Sequence, residues 1–196
     1  MRRLFLLAVG SALALTAAPT FAQDADANAG WTTDMVADLQ RVGDRLAQLA
    51  KAVPAEKYSW RPADGVRTIS EVYMHVCGPN ILLPAALGAA PPAGLTIPEN
   101  PFDLAQEWER TVTEKDAVVA KLKESFAYAT QAVPTVQDLG AEVQAFGFPA
   151  SKRTYLLILL THAHEHLGQS IAYARSIGVT PPWSLPQPSE GEPAAE

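Results

Sequence analysis

Thr161-His162-Ala163-His164-Glu165-His166-Leu167-Gly168-Gln169 decides the reading of this chain. The protein has four histidines, three of them in this stretch, and the fourth is His75. The residues on either side, from Ser151 to Arg175, contain no proline. Ser151 is a good N-cap and Gly178 a C-terminal stop, so the pattern predicts one long helix over about 151–177. On a helix each residue turns by about 100°, which stacks residues four apart. His162 and His166 therefore share a face, and His164 points the other way. Tyr155, Leu159, His162, His166, Gln169 and Tyr173 form a stripe with steps of four and three, the core-facing seam of a bundled helix. Two histidines one turn apart on such a seam can grip one metal ion, since neutral imidazole is the commonest metal ligand among side chains. Packing of hydrogen-bonded core histidines is the competing explanation.

Working outward, helical periodicity recurs at three further places. Val36, Leu39, Val42, Leu46, Leu49 and Val53 step by three or four; Thr32 or Thr33 can cap this first helix and Pro54 stops it. A loop containing Tyr58 and Trp60 follows. Thr68 or Ser70 opens a second helix ending near Gly88, with Glu71 in its first turn, where the helix dipole favours a negative charge. His75 sits among its apolar residues. Pro79 cannot donate to the carbonyl of His75 and is expected to kink or loosen the helix, and Pro84 adds a second irregularity. Ala89 to Pro101 is a Pro-rich loop. A third helix is expected over about 103–131, capped by Asp103, with Leu104, Trp108, Val112, Val119, Leu122 and Phe126 facing inward. Residues 134–150 read as irregular, with Glu142 to Gly147 a candidate short extended piece. The fold class is all-α: an antiparallel four-helix bundle with one long crossover connection.

The N-terminus begins Met1-Arg2-Arg3, continues with an apolar run from Leu4 to Leu15 and reaches Thr20-Phe21-Ala22. This is the pattern of a secretory signal peptide, residues 1–22. The apolar run is shorter than the roughly 20 residues needed to span a bilayer. The expected organisation is a signal peptide at 1–22, a disordered leader at 23–30, the bundle at 31–183 and a disordered acidic, Pro-rich tail at 184–196. Export implies a periplasmic or secreted protein. Loss of Arg2 and Arg3 with the signal takes the formal charge from −6 to −8. An acidic exported chain is a poor match to nucleic acid, and no membrane association is expected after cleavage. Cys77 is the only cysteine, so no internal disulfide can form. It lies in an apolar segment and reads as a small buried residue rather than a nucleophile.

His75 on the second helix can meet His162 and His166 inside the bundle. Three neutral imidazoles leave a fourth position for water or substrate, the pattern of an open rather than a closed site. The ion is a divalent metal: zinc by default, with nickel, iron or manganese as alternatives. Gln169, Glu165 and Glu71 are candidate partners for the imidazoles' second nitrogens. A zincin helix needs His-Glu-x-x-His, but Gly168 stands where the second histidine would be.

Three features resemble the DinB/YfiT-like family of four-helix-bundle proteins (not the DNA polymerase that shares the DinB name). They are Trp60-Arg61-Pro62 followed by Ile69-Ser70-Glu71-Val72-Tyr73-Met74-His75; His162-x-x-x-His166-x-Gly168-Gln169; and Tyr173-Ala174-Arg175-Ser176-Ile177-Gly178-Val179-Thr180-Pro181-Pro182. The resemblance covers nearly all of 31–183. It implies His75, His162 and His166 as the metal ligands, with His164 outside the set, and an assembly that is often a homodimer. Some relatives are thiol-dependent S-transferases or isomerases working with cytosolic thiols, a setting that an exported member leaves. The functional expectation is a metal-dependent hydrolase or transferase acting on an unknown small-molecule substrate. The alternative is a non-catalytic metal-binding or stress-associated bundle. His164, with Leu157 and Ile171 on the opposite face, is either a dimer contact or solvated.

Overall fold

The computed structural model describes residues 22–186. The expected signal peptide, apart from Ala22, and the tail from residue 187 onward lie outside the described residues. The elements are α1 (Ala22–Ala52), α2 (Ile69–Ala86), α3 (Phe102–Thr111), α4 (Lys115–Ala132), β1 (Glu142–Ala145), β2 (Phe148–Ser151) and α5 (Lys152–Ser176). The all-α bundle is as expected. α1 and α2 each pack against both α4 and α5, and α3 lies on α2.

Side-chain contacts fix the helix directions. Lys115, at the start of α4, donates to the carbonyls of Lys51 and Val53 at the end of α1, so this pair is antiparallel. His75 of α2 meets His162 of α5, and Leu83 lies opposite Tyr155, so that pair is antiparallel too. Arg153 reaches Asn28, and His164 reaches Asp38, so α5 runs parallel to α1. Asn80 donates to Ser125 and Tyr128 donates to the Ala90 carbonyl, so α4 runs parallel to α2. The long crossover, residues 87–114, returns the chain to the end at which α2 starts and carries α3 on the way.

α1 begins earlier than the sequence implies. Residues 23–30, expected to be a disordered leader, are helical. Thr32 and Thr33 do not cap α1. Their hydroxyls donate to the carbonyls of Asn28 and Ala29, four residues back, as hydroxyls inside a helix do. α2 starts as expected. Thr68 accepts from the Glu71 N–H and Glu71 accepts from the Thr68 N–H, a complete capping box. α2 stays helical through both Pro79 and Pro84.

The expected third helix is two. It breaks at Val112–Glu114, where Val112 takes φ −107° and ψ 86° and Glu114 is extended. Thr111, Val112 and Thr113 are all β-branched and weak helix formers. Asp103 does not cap α3; Pro101 holds the N-cap position, and Asn100 donates to the Asp103 carboxylate. The break shifts the phase of α4, so that Val118 is buried in place of Val119.

Residues 142–151 form an antiparallel hairpin in which Ala145 pairs with Phe148. Its two turn residues, Phe146 and Gly147, have φ of 50° and 91°, which suits the right-handed twist of a tight hairpin. A phenylalanine at positive φ costs roughly 1–2 kcal/mol. Phe146 is held there by an edge-on contact with Phe102 and a tilted one with Tyr155, at ring-centroid separations of 5.8 and 6.1 Å.

Two glycines test this packing. A Cβ on Gly78 would sit 2.5 Å from the Cβ of Ala105, so α3 rests on α2 where a side chain is missing. Gly168 is exposed on α5 with nothing within 4 Å of its Cβ position. Gly78→Ala is expected to destabilise by about 1–3 kcal/mol through overpacking despite its better helix propensity. Gly168→Ala is expected to stabilise by about 0.5–1 kcal/mol. Urea unfolding of the two variants beside the parent checks both signs.

Candidate metal centre

α2 and α5 bring His75, His162 and His166 together between them. His162 Nε2 lies 3.2 Å from His75 Nε2 and 3.1 Å from His166 Nε2. All three offered nitrogens lie within 4.8 Å of one another. Tetrahedral zinc with Zn–N bonds of 2.0–2.1 Å needs ligand nitrogens about 3.3 Å apart. The observed spacing is close to that value.

The outer ring nitrogens decide what the inner ones present. His75 Nδ1 lies 2.9 Å from Glu109 Oε1 on α3, and the other Glu109 oxygen accepts from Arg67 Nε at 3.0 Å. An ionised carboxylate only accepts, so His75 carries its proton on Nδ1. His166 Nδ1 lies 2.7 Å from Gln169 Oε1, and Gln169 Nε2 donates to the Tyr173 hydroxyl at 3.1 Å. His166 therefore carries its proton on Nδ1 as well. Both Nε2 atoms then aim lone pairs at the same point, where His162 Nε2 also sits. One proton on His162 Nε2 satisfies only part of such a cluster. A divalent cation satisfies all three nitrogens at once, so these residues can hold a metal ion.

Burial, more than any other cause, holds the His162 pKa down at about 3, with His166, His75 and Arg67 adding to the effect. His75 is lowered first by burial, then by Arg67 and His166, with Glu109 opposing. Both imidazoles are thereby kept neutral, as metal ligation requires.

The sequence placed three other groups near this centre, and two are elsewhere. Glu71 is occupied in the α2 capping box and pairs with Arg61. Glu165 is exposed. Gln169 does meet the cluster, through His166 Nδ1. His164 pairs with Asp38 of α1 at 3.1 Å on an exposed face, apart from the cluster. Burial pushes the Cys77 thiol up to about 12, which suits the small core residue expected and not a nucleophile. Glu109 and Arg67 were not visible as site residues. Glu109 lies 34 residues from His75, on a helix whose separate existence depends on the break at 112–114. The loop motif at Trp60 acquires a physical meaning: its ring stands edge-on to Tyr173 at 5.5 Å, bracing the hydroxyl that orients Gln169.

Beside the imidazoles a pocket of about 230 Å³ opens, lined by His75, His162 and residues of α2, α3, α5 and the hairpin turn.

The chain matches the DinB superfamily over residues 38–170, two thirds of its length and all three clustered histidines. It belongs to that superfamily. Among solved structures, a DinB-like protein from Bacillus subtilis is similar with a TM-score of 0.59 at 20% identity, covering 79% of this chain and 96% of that one. A DinB-like protein from Bacillus cereus gives 0.59 at 17% identity, covering 76% and 93%. A conserved protein from Enterococcus faecalis gives 0.56 at 16%, covering 75% and 97%. At these identities the likeness establishes the DinB bundle fold. No curated protein matches the chain.

Two outcomes are expected at this DinB centre. Glu109→Gln removes the ionised acceptor of His75 and is expected to weaken zinc binding about 10–100-fold with the helical content unchanged; competition with a chelating dye reads the affinity. The second concerns the metal-free protein. An unfolded His162 titrates at the ordinary 6.5 and the folded one at about 3. The unfolded chain takes up that proton first, so the contribution to stability is present above pH 6.5 and is lost as pH falls from there toward 3. With chelator present, the parent should lose more stability between pH 7 and 5 than His162→Gln, as measured by urea unfolding.

Proposed function

We propose that this DinB-superfamily protein holds a divalent metal, zinc in the first instance, through His75, His162 and His166, and acts as an exported metal-dependent hydrolase or transferase on a small molecule. One observation carries the reading: Glu109 and Gln169 fix two imidazoles so that their lone pairs converge with the third. Buried packing histidines would use such outer acceptors too, but they have no need to gather three Nε2 atoms about one point.

Zinc at a three-imidazole site supplies Lewis acidity and an open position for a reacting group. The protein's own residues do the rest. Glu109 and Gln169 hold the ligand protons at Nδ1. Burial keeps His75 and His162 neutral. Arg67 holds the Glu109 carboxylate toward His75. The pocket beside His75 and His162 gives a small molecule a place to lie against the centre. Export rests on the N-terminal pattern of basic, apolar and small residues, and the periplasm or the medium is the expected location. Among the described residues no helix is long and apolar enough to cross a membrane. A homodimer is the assembly proposed by resemblance to the family.

The deciding experiment is metal analysis by mass spectrometry on protein recovered after export, beside a His75→Ala/His166→Ala double variant. The expected result is a mature N-terminus at Gln23, near-stoichiometric metal in the parent and none in the variant. A parent that takes up no zinc, nickel or manganese would sink the metal centre. Metal uptake without turnover across a panel of esters, amides and thiol acceptors would leave a non-catalytic metal-binding protein.

A further inference from the structure

The pocket beside the histidines is unusual in what it lacks. Its wall is almost wholly carbon, contributed by Pro79, Leu83, Ile158, Phe146 and Phe148 among others. Tyr155 also lines it, but its hydroxyl is already engaged by the backbone of Ala145 and Phe148 on the hairpin. His75 and His162 are therefore the only other lining side chains that carry polar atoms.

Resting on the three-histidine metal reading, we propose that this pocket binds a small monocarboxylate with an aryl or branched-alkyl body. Its carboxylate lies at the His75/His162 end and its hydrocarbon against Ile158, Leu83 and the hairpin turn. Charge argues for the anionic head. Three imidazole ligands bring no negative charge to a divalent ion, and Glu109, the carboxylate bonded to His75, already shares its charge with Arg67. The wall argues for a single polar group. A hydroxyl or amine pressed against this wall would have no partner there, at a cost of roughly 1–3 kcal/mol. Volume argues for the size. A dry apolar cavity of roughly 150 Å³ accepts benzene, so about 230 Å³ accommodates a ring with a short side chain.

Calorimetric titration of the zinc-loaded full chain tests this, with zinc content measured on every sample. The probes are phenylacetate, acetate (the head without the body) and 2-phenylethanol (the body without the charge). Phenylacetate is expected to bind one to one, about tenfold or more tighter than either of the others, and to lose about tenfold on chelation of the zinc. Ile158→Glu, which places a carboxylate in the apolar wall, should weaken phenylacetate by about tenfold or more with zinc content unchanged. Phe148→Ala, on the exposed hairpin, should weaken it by about threefold or more, again with full zinc. It serves as the second variant should Ile158→Glu fail to fold. Acetate binding as tightly as phenylacetate overturns the proposal, and so does a zinc-loaded Ile158→Glu or Phe148→Ala protein with unchanged affinity. Zinc uptake with no phenylacetate binding overturns the pocket proposal and leaves the metal centre standing. Absence of zinc uptake overturns both.

Discussion

Antiparallel packing of α2 against α5 is the constraint from which the rest of the centre follows. His162 and His166 come with their helix, one turn apart, and their mutual spacing is a property of α-geometry. His75 is the free variable. It reaches the pair only if α2 lies at the correct height and rotation against α5. The seam on both sides of the cluster sets that position. Toward the start of α2, Ile69, Val72 and Tyr73 pack against Ser170, Tyr173 and Ala174. Toward its end, Leu83 lies opposite Tyr155. On the face of α2 turned to α4, Asn80 donates to Ser125 inside an otherwise apolar core. A buried polar pair of this kind is costly to leave unpaired, so it resists sliding of one helix past the other.

The crossover between α2 and α4 has two roles that one continuous helix could not combine. α3 must lie on the outer side of α2 to bring Glu109 to His75, while α4 must enter the bundle between α1 and α2. The bend at Val112–Glu114 separates these directions. Gly78 makes the first role achievable, because Ala105 rests where a side chain would stand. The geometry of an imidazole tautomer thus depends on a missing methyl group one helical turn farther along α2.

The sequence made the bundle and the histidine pair of α5 legible because both rest on local periodicity. Four-residue spacing put His162 and His166 on one face, and the capping box at Thr68 and Glu71 marked where α2 begins. The parts that were not legible depend on contacts distant in the chain. Glu109 looks like any exposed helical acid until α3 is folded back on α2. Phe146-Gly147 does not resemble a hairpin turn, because phenylalanine is a poor residue for positive φ and only the tertiary contacts with Phe102 and Tyr155 make it tolerable. The break in the third helix was hidden for the opposite reason. Leu104, Trp108 and Val112 continue the apolar period smoothly into Val119, so the pattern is blind to a phase shift across three β-branched residues.

The hairpin also shows how the two walls of the site are tied to one helix. Tyr155 opens the core-facing stripe of α5, two turns before His162. Its ring lies 5.1 Å from that of Phe148, and its hydroxyl holds the backbone at Ala145 and Phe148. The apolar roof of the pocket is therefore fastened to the helix that carries two of the three histidines. On the other side of the cluster, Tyr173 orients Gln169, which orients His166. The same stripe thus uses one tyrosine to shape the cavity and another to aim a nitrogen. Any rotation of α5 about its axis displaces the pocket roof and the His166 lone pair together, so pocket and imidazoles keep a fixed relation to each other for as long as α5 stays seated against α2.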